Sequence, residues 1–294
     1  MIRTELVLTI SQVSQKVDAI GITTQKVHVD VGELRMQGHR SRMIKWLSPS
    51  DSSTNYNKAL EQRQEGTGLW FIHGDVFKQW KQHSNSFLWL HGIPGCGKTV
   101  LSSTIIEHLK RDTSFGTLLY FYFDFNDTSK QTLDNVLCSL IKQLYQQRPD
   151  ARQPLDQSWN AHGEGSQQPS TSSLQNVLQA MLSMIDRACI VLDALDESKS
   201  RRDLLVWLKT LATSKFTACQ LLVTARREED IESALQKWTH PEDRIAIQQS
   251  DVDADIEAYV THQVHHGEDL RRWRSQEDMQ KKIKLKLMKK ANGM

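Results

Sequence analysis

The sequence predicts an α/β fold, a three-layer sandwich in which helices cover both faces of a parallel sheet, preceded by a helical amino-terminal segment. Three observations lead there. Short apolar runs alternate with amphipathic helical patterns from about residue 57 onward. The runs, among them TLLYFYFDF (117–125) and ACIVLD (188–193), are too continuous to leave one face wet, as is usual for strands covered on both sides. A glycine-rich loop also stands between the apolar run SFLWLH (86–91) and a helical pattern from Lys98 to Lys110.

The elements follow in order. Residues 6–34 place Leu6, Ile10, Val13, Val17, Ile20, Val27, Val31 and Leu34 in a 4-3 alternation interrupted at Thr24, the coiled-coil period. Residues 1–47 are therefore read as a helical segment, either self-associating or partner-binding through this stripe, or packed on its own domain. SPSDSSTNYN (48–57) is dense in residues that compete with helix through local side-chain hydrogen bonds, and is read as a linker. The α/β domain is expected over 58–250. After the 117–125 run come a helix near 131–147, a polar insert at 149–173 and a helix to about Arg187. The strand 188–193, a helix near 202–212, the strand CQLLVTA (219–225), a helix near 228–238 and the weak run RIAIQ (244–248) complete the alternation. Residues 251–294 are expected to form a carboxy-terminal helical extension.

Composition narrows the partners. A chain of 294 residues can bury a substantial core, and 37 basic against 35 acidic residues leave a formal charge of +2, which gives no global field toward nucleic acid or membrane. Cys96, Cys138, Cys189 and Cys219 lie far apart without zinc-site spacing, so they read as reduced thiols of a cytoplasmic protein. The start MIRTELVLTI has no secretory apolar stretch, and no run of 18 apolar residues occurs.

The chemistry concentrates at three strand ends. Gly92-Ile93-Pro94-Gly95-Cys96-Gly97-Lys98-Thr99 satisfies the phosphate-loop pattern GxxxxGK[ST], and with Val100 it is the candidate nucleotide-binding segment. Glycines let backbone N–H groups converge on phosphate oxygens, and the helix start adds unpaired donors and the positive end of its dipole. Lys98 supplies a charge to the β- and γ-phosphates, and Thr99 offers a hydroxyl to Mg²⁺. Asp193, closing the apolar run 188–193, is the candidate second magnesium anchor. Ala194 follows it, and Asp196 or Glu197 is placed to orient an attacking water. Thr224 and Arg226 sit just past the next strand, on the carboxyl edge where open α/β sheets bind ligands, with Arg226 a candidate γ-phosphate contact. The guanine-selective tetrapeptide NKxD is missing, since Asn57-Lys58-Ala59-Leu60 lacks the aspartate, so ATP is expected over GTP.

These residues resemble the NACHT branch of the signal-transduction ATPases, in particular fungal NLR-like proteins and the nephrocystin-like amino-terminal NTPase domain. The resemblance spans about residues 40–265 and rests on HGIPGCGKT, FYFDFND, IVLDALDE and LLVTARRE, with a small residue after the strand aspartate and an acidic pair beyond it. It implies a switch in which the bound nucleotide controls oligomerisation and signalling. Such proteins usually continue into a winged-helix region and repeats, so the chain is read as a fragment or a minimal core.

Smaller signals carry two readings each. Trp70, Phe71 and Trp80 are core residues, or the stretch Gly66 to Trp70 touches adenine. His262, His265 and His266 read as a solvated face rather than a metal site, and the six lysines of 281–290 as the wet side of a helix whose packing side is Met279, Ile283 and Leu287, rather than as a phosphoinositide or nucleic-acid contact. Two rival functions remain beside the switch: an interaction scaffold with a non-hydrolysing NTPase fold, and a small-substrate kinase. The kinase reading is weakened because the insert 149–173 has only Arg152 as a basic residue.

Overall fold

Five strands form one parallel sheet in the order β2-β3-β4-β1-β5. The computed structural model describes residue 34 and residues 36–112, 115–214 and 218–291. In chain order, α1 (36–47) is followed by α2 (Ser53–Gln62), α3 (Leu69–Ile72), α4 (Asp75–Gln82), β1 (Phe87–His91) and α5 (Lys98–Arg111). Next come β2 (Thr117–Tyr122), α6 (Leu133–Gln147), α7 (Gln153–Ala161), α8 (Thr171–Leu182), β3 (Ala188–Asp193) and α9 (Arg201–Ala212). The chain closes with β4 (Cys219–Ala225), α10 (Glu229–Leu235), β5 (Arg244–Ala246), α11 (Gln249–His266) and α12 (Glu277–Ala291).

The expected strands appear where the apolar runs stand, and every residue of β3 and β4 is buried. This continuous burial is what a sheet covered on both faces requires. β4 lies between β1 and β3, in register from Phe87 with Leu221 and from Ala188 with Cys219. The strand carrying the phosphate loop is therefore separated from the strand ending in Asp193 by the one ending near Thr224, and all three carboxyl ends lie side by side. β5 adds to the other side of β1, pairing Trp89 with Arg244, and Ile247 N–H donates to the His91 carbonyl at 2.8 Å. That pairing delivers α11 to the phosphate-loop edge.

Two segments differ from expectation. Residues 48–57 are not a linker: α2 begins at Ser53, and Ser50, Ser52, Tyr56 and Ala59 are buried. Long-range bonds override the local preference for coil. Ser52 and Ser139 share a hydroxyl bond of 2.8 Å, Asn55 Nδ2 donates to Asp124 at 3.0 Å, and the buried Lys130 ammonium donates to Thr54 Oγ1 at 2.7 Å and Asn55 Oδ1 at 2.6 Å. The polar insert likewise contains α7, started by proline in its first turn and held by buried Leu155 and Trp159.

Contacts divide the chain into Met1–Ser48 and Pro49–Met294. In the first unit, α1 is described, while the 4-3 stripe of residues 6–34 lies outside the described residues except at Leu34. In the second, α11 and α12 pack together, and Lys284 of α12 meets Glu257 of α11 at 2.8 Å. Among the described residues no helix is long and apolar enough to cross a membrane.

Candidate functional site

The phosphate loop leaves β1 and opens α5, as its spacing demands. Gly97 is the residue before the helix and has φ +84°, a left-handed conformation in which a β-carbon is strained. Gly92 has another reason to be glycine, because a β-carbon there would stand 2.6 Å from the Cys96 sulfur. The N–H groups of Lys98, Thr99 and Val100, in the first turn, have no intrahelical acceptor. Lys98 Nζ folds over the loop, donating to the carbonyls of Gly92 at 2.8 Å and Ile93 at 2.9 Å, with Cys96 Sγ at 3.7 Å. Ile93, Pro94 and Gly95 are exposed along the rim.

Asp193 is the best-held carboxylate of the site. Thr99 Oγ1 donates to its Oδ2 at 2.8 Å, and Ser102 and Thr224 hydroxyls each donate to its Oδ1 at 2.6 Å. Three hydroxyls from two segments, α5 and β4, thus converge on one side chain that is only 2% exposed. Burial pushes its carboxyl above the ordinary carboxylate value, against the lowering effect of the three hydroxyls and the Lys98 charge. Thr224 also accepts from the Ala194 N–H at 3.0 Å, fixing the strand exit where Ala194 adopts a left-handed φ of +59°. Ser102 was not singled out in the sequence; its signal is its place one helical turn after Lys98, facing the sheet.

The two acids left open as alternatives are placed differently. Asp196 is tied to Arg226: its Oδ1 accepts from the Arg226 N–H at 2.9 Å, and its Oδ2 lies 3.1 Å from Arg226 Nε. Among the described residues Glu197 has no ion-pair partner; its Oε2 accepts from the Phe125 N–H at 3.0 Å. Burial raises its carboxyl, and the neighbouring Asp196, Asp124 and Asp193 charges add to the rise. An acid that no described cation pairs is better suited to polarise water than one clamped by arginine.

Beside the loop lies a cavity of about 450 Å³, a volume typical of small-molecule sites. Its lining joins Gly95, Cys96, Gly97, Val100 and Leu101 of the loop and α5 with Thr67, Gly68 and Trp70, and with Val252, Asp255, Ile256 and Tyr259 of α11. Trp70 is therefore a cavity wall as well as a packing residue, touching Phe71 edge-on at 5.7 Å. Phe71 and Trp80 are buried in the core. Sequence reasoning did not find the α11 residues. No motif marks them, and they reach the loop only through the β1–β5 pairing.

A magnesium ion fits the donor set. Thr99 and Asp193 supply oxygens side by side, as a hard cation that retains water and shares substrate phosphates prefers. Among the described residues no group of three or more His, Cys, Asp or Glu could hold a metal, and His262, His265 and His266 are exposed on α11.

A family model described as "Nephrocystin 3, N-terminal" matches residues 66–226. The chain belongs to this nephrocystin 3 N-terminal family. It is 30% identical over 181 residues to the vegetative incompatibility protein HET-E-1 of Podospora anserina, covering 58% of this chain and 13% of that protein. A shorter likeness, 31% over 58 residues, joins it to a proteasome-associated ATPase of Actinosynnema mirum, covering 20% of this chain and 10% of the relative. The chain thus spans a small part of the length of either relative. Among solved structures, the Aeropyrum pernix ORC2 protein in ADPNP–ADP complexes aligns over 76% of this chain and 66% of that one, with a TM-score of 0.38 and 12% identity. The family match and the likeness to HET-E-1, together with the sheet described above, make this nephrocystin-like chain a NACHT-type NTPase domain on a P-loop α/β fold.

Proposed function

We propose that the domain binds a magnesium nucleoside triphosphate, ATP in preference to GTP, hydrolyses it slowly, and uses the bound state to control assembly in NLR-like signalling. The observation that carries this reading is the meeting of Thr99, Ser102 and Thr224 on the buried Asp193 carboxylate, beside the open amino terminus of α5. The likeness to an incompatibility protein supports a signalling role, and the likeness to an ATPase supports hydrolysis.

In this reading the first-turn N–H groups of α5 and the phosphate-loop amides hold the triphosphate, and Lys98 leaves the Gly92 and Ile93 carbonyls to pair with its β- and γ-oxygens. Thr99 and Asp193 hold the magnesium ion, which when bound offsets the charge that builds as the terminal bond breaks. Glu197 orients the attacking water and draws its proton. Asp196 keeps Arg226 at the strand edge, so that the guanidinium meets the γ-phosphate and registers its departure.

Thermal unfolding of the wild type and Lys98→Ala with Mg-ATP, Mg-GTP, ADP and no ligand tests the site. A ligand at 100 times its dissociation constant adds about 2.7 kcal/mol to stability, and a domain of this size gains roughly 2–4 °C per kcal/mol. The wild type is expected to shift with ATP most and Lys98→Ala not at all. Equal shifts in both would refute the assignment. Light scattering with ATP, ADP and no nucleotide tests the switch; one unchanging mass would favour a scaffold instead.

A further inference from the structure

The cavity beside the phosphate loop has one half-buried acceptor whose chemistry is not used by the triphosphate reading. Asp255 sits in the second turn of α11, in a helix brought alongside the loop by β5, and lies outside the residues 66–226 of the family match. Its Oδ2 accepts twice, from the Gly68 N–H at 2.7 Å and from Trp70 Nε1 at 3.2 Å. These bonds pin α11 to the stretch before β1 and fix the carboxylate in the cavity wall. Among the described residues Oδ1 has no protein partner. The lining also includes Val100, Leu101, Val252 and Ile256, apolar side chains suited to contact with a flat ring.

We propose that Asp255 reads the base of the bound nucleotide and selects a six-amino purine, so that the nucleotide is an adenine one. This rests on the nucleotide-site reading above and adds a residue that sets its specificity. A carboxylate is acceptor-only, and each oxygen satisfies a limited number of donors. With Oδ2 already taken twice, one oxygen remains, which matches the single amine that adenine presents at its six position. Guanine places a carbonyl oxygen there, which repels a carboxylate. Its own two-donor edge needs both carboxylate oxygens, and supplying them would break the bonds to Gly68 and Trp70. A buried polar group left unpaired by the wrong ligand is what gives such sites large discrimination. The same carboxylate ties base occupancy to the position of α11, since the side chain that meets the base is also the one that pins the helix.

The test compares Mg-ATP, Mg-ITP, magnesium purine-riboside triphosphate and magnesium tripolyphosphate by calorimetry on the full chain, wild type and Asp255→Asn. Purine riboside lacks the six-amine, and inosine replaces it with a carbonyl. The wild type should bind ATP at least tenfold more tightly than either analogue. Asparagine keeps an oxygen for Gly68 and Trp70 and turns an amide donor toward the base. Asp255→Asn should therefore lose the ATP preference and favour ITP, with tripolyphosphate affinity unchanged. Equal wild-type affinities for ATP and purine-riboside triphosphate would overturn the inference while leaving the phosphate site intact, and this arm requires no variant to fold. The same ATP-to-ITP ratio in Asp255→Asn as in the wild type would do so too. A wild type that binds neither ATP nor tripolyphosphate would overturn the nucleotide site, and the base reading with it.

Discussion

The phosphate end and the base end of the candidate site are built in opposite ways. At the phosphate end, Lys98, Thr99 and Ser102 come from one short stretch, and the partners Asp193 and Thr224 each close an apolar strand, so the sheet itself lines them up. At the base end, Gly68 and Trp70 precede the first strand while Asp255 follows the last, and nothing local joins them. Phosphate is the same in every nucleotide and can be met by a fixed motif. A base is met by whatever walls the topology brings together.

If this division is right, variants at the two ends should fail differently. The largest effect is expected for Glu197→Gln, with turnover falling by roughly 10²–10⁴-fold and affinity kept, as loss of a general base does. Single-turnover measurement alongside calorimetry separates the two. Asp196→Asn should lose less, because it keeps an oxygen for the Arg226 N–H. If Asp196→Asn is the more damaged, the two acids have the reverse roles.

Asp193→Asn comes next. It should abolish the magnesium-dependent part of the unfolding shift for every nucleotide and for tripolyphosphate alike, a loss of about 2.7 kcal/mol at 100-fold saturation. It should also change the pH dependence of the metal-free protein. Burial raises the Asp193 carboxyl, so the folded chain holds that proton more firmly than the unfolded chain does. The stability this contributes is complete below the unfolded value near pH 4 and is lost as pH rises through the folded one. The unfolding temperature of Asp193→Asn relative to wild type should therefore climb as the pH rises above about 4. A flat difference would show that the three hydroxyls already offset the burial.

Gly92→Ala should weaken tripolyphosphate binding by forcing the Cys96 sulfur aside, and Cys96→Ala added to it should restore most of the loss. This pair breaks the comparison if it changes the ranking of bases instead. The smallest effect is expected for Trp70→Phe, which removes one donor to Asp255 and keeps the ring. Its cost should be about 0.5–1.5 kcal/mol in stability, with no change in tripolyphosphate affinity.

The same division explains how much was legible in the sequence. Four of the five strands could be placed from continuous apolar runs because burial on both faces leaves no alternation to misread. The phosphate loop was legible because its glycines and Lys98 are required at fixed offsets. α2 was not, since Ser, Asp and Asn favour coil locally, and the bonds that make them helical come from Asp124, Lys130 and Ser139, about 70 to 87 residues away. α7 was hidden for a similar reason, with its apolar contacts reduced to Leu155 and Trp159 in nine residues. Adjacent acids of like charge give the sequence no means of ranking Asp196 and Glu197; the proposed ranking rests on the position of Arg226, 29 residues downstream of Glu197 and 30 of Asp196.

The insertion of β4 between β1 and β3 also orders events during synthesis. As the chain emerges from the ribosome, β2 and β3 can pair as neighbours, but β1 has neither of its partners until residues 219–225 appear. Thr224 is among the last of these, and only with it does Asp193 have all three of its hydroxyl donors. On the proposed reading, a nascent chain therefore carries the complete phosphate-loop sequence for more than a hundred residues of translation before Thr99, Asp193 and Thr224 can meet.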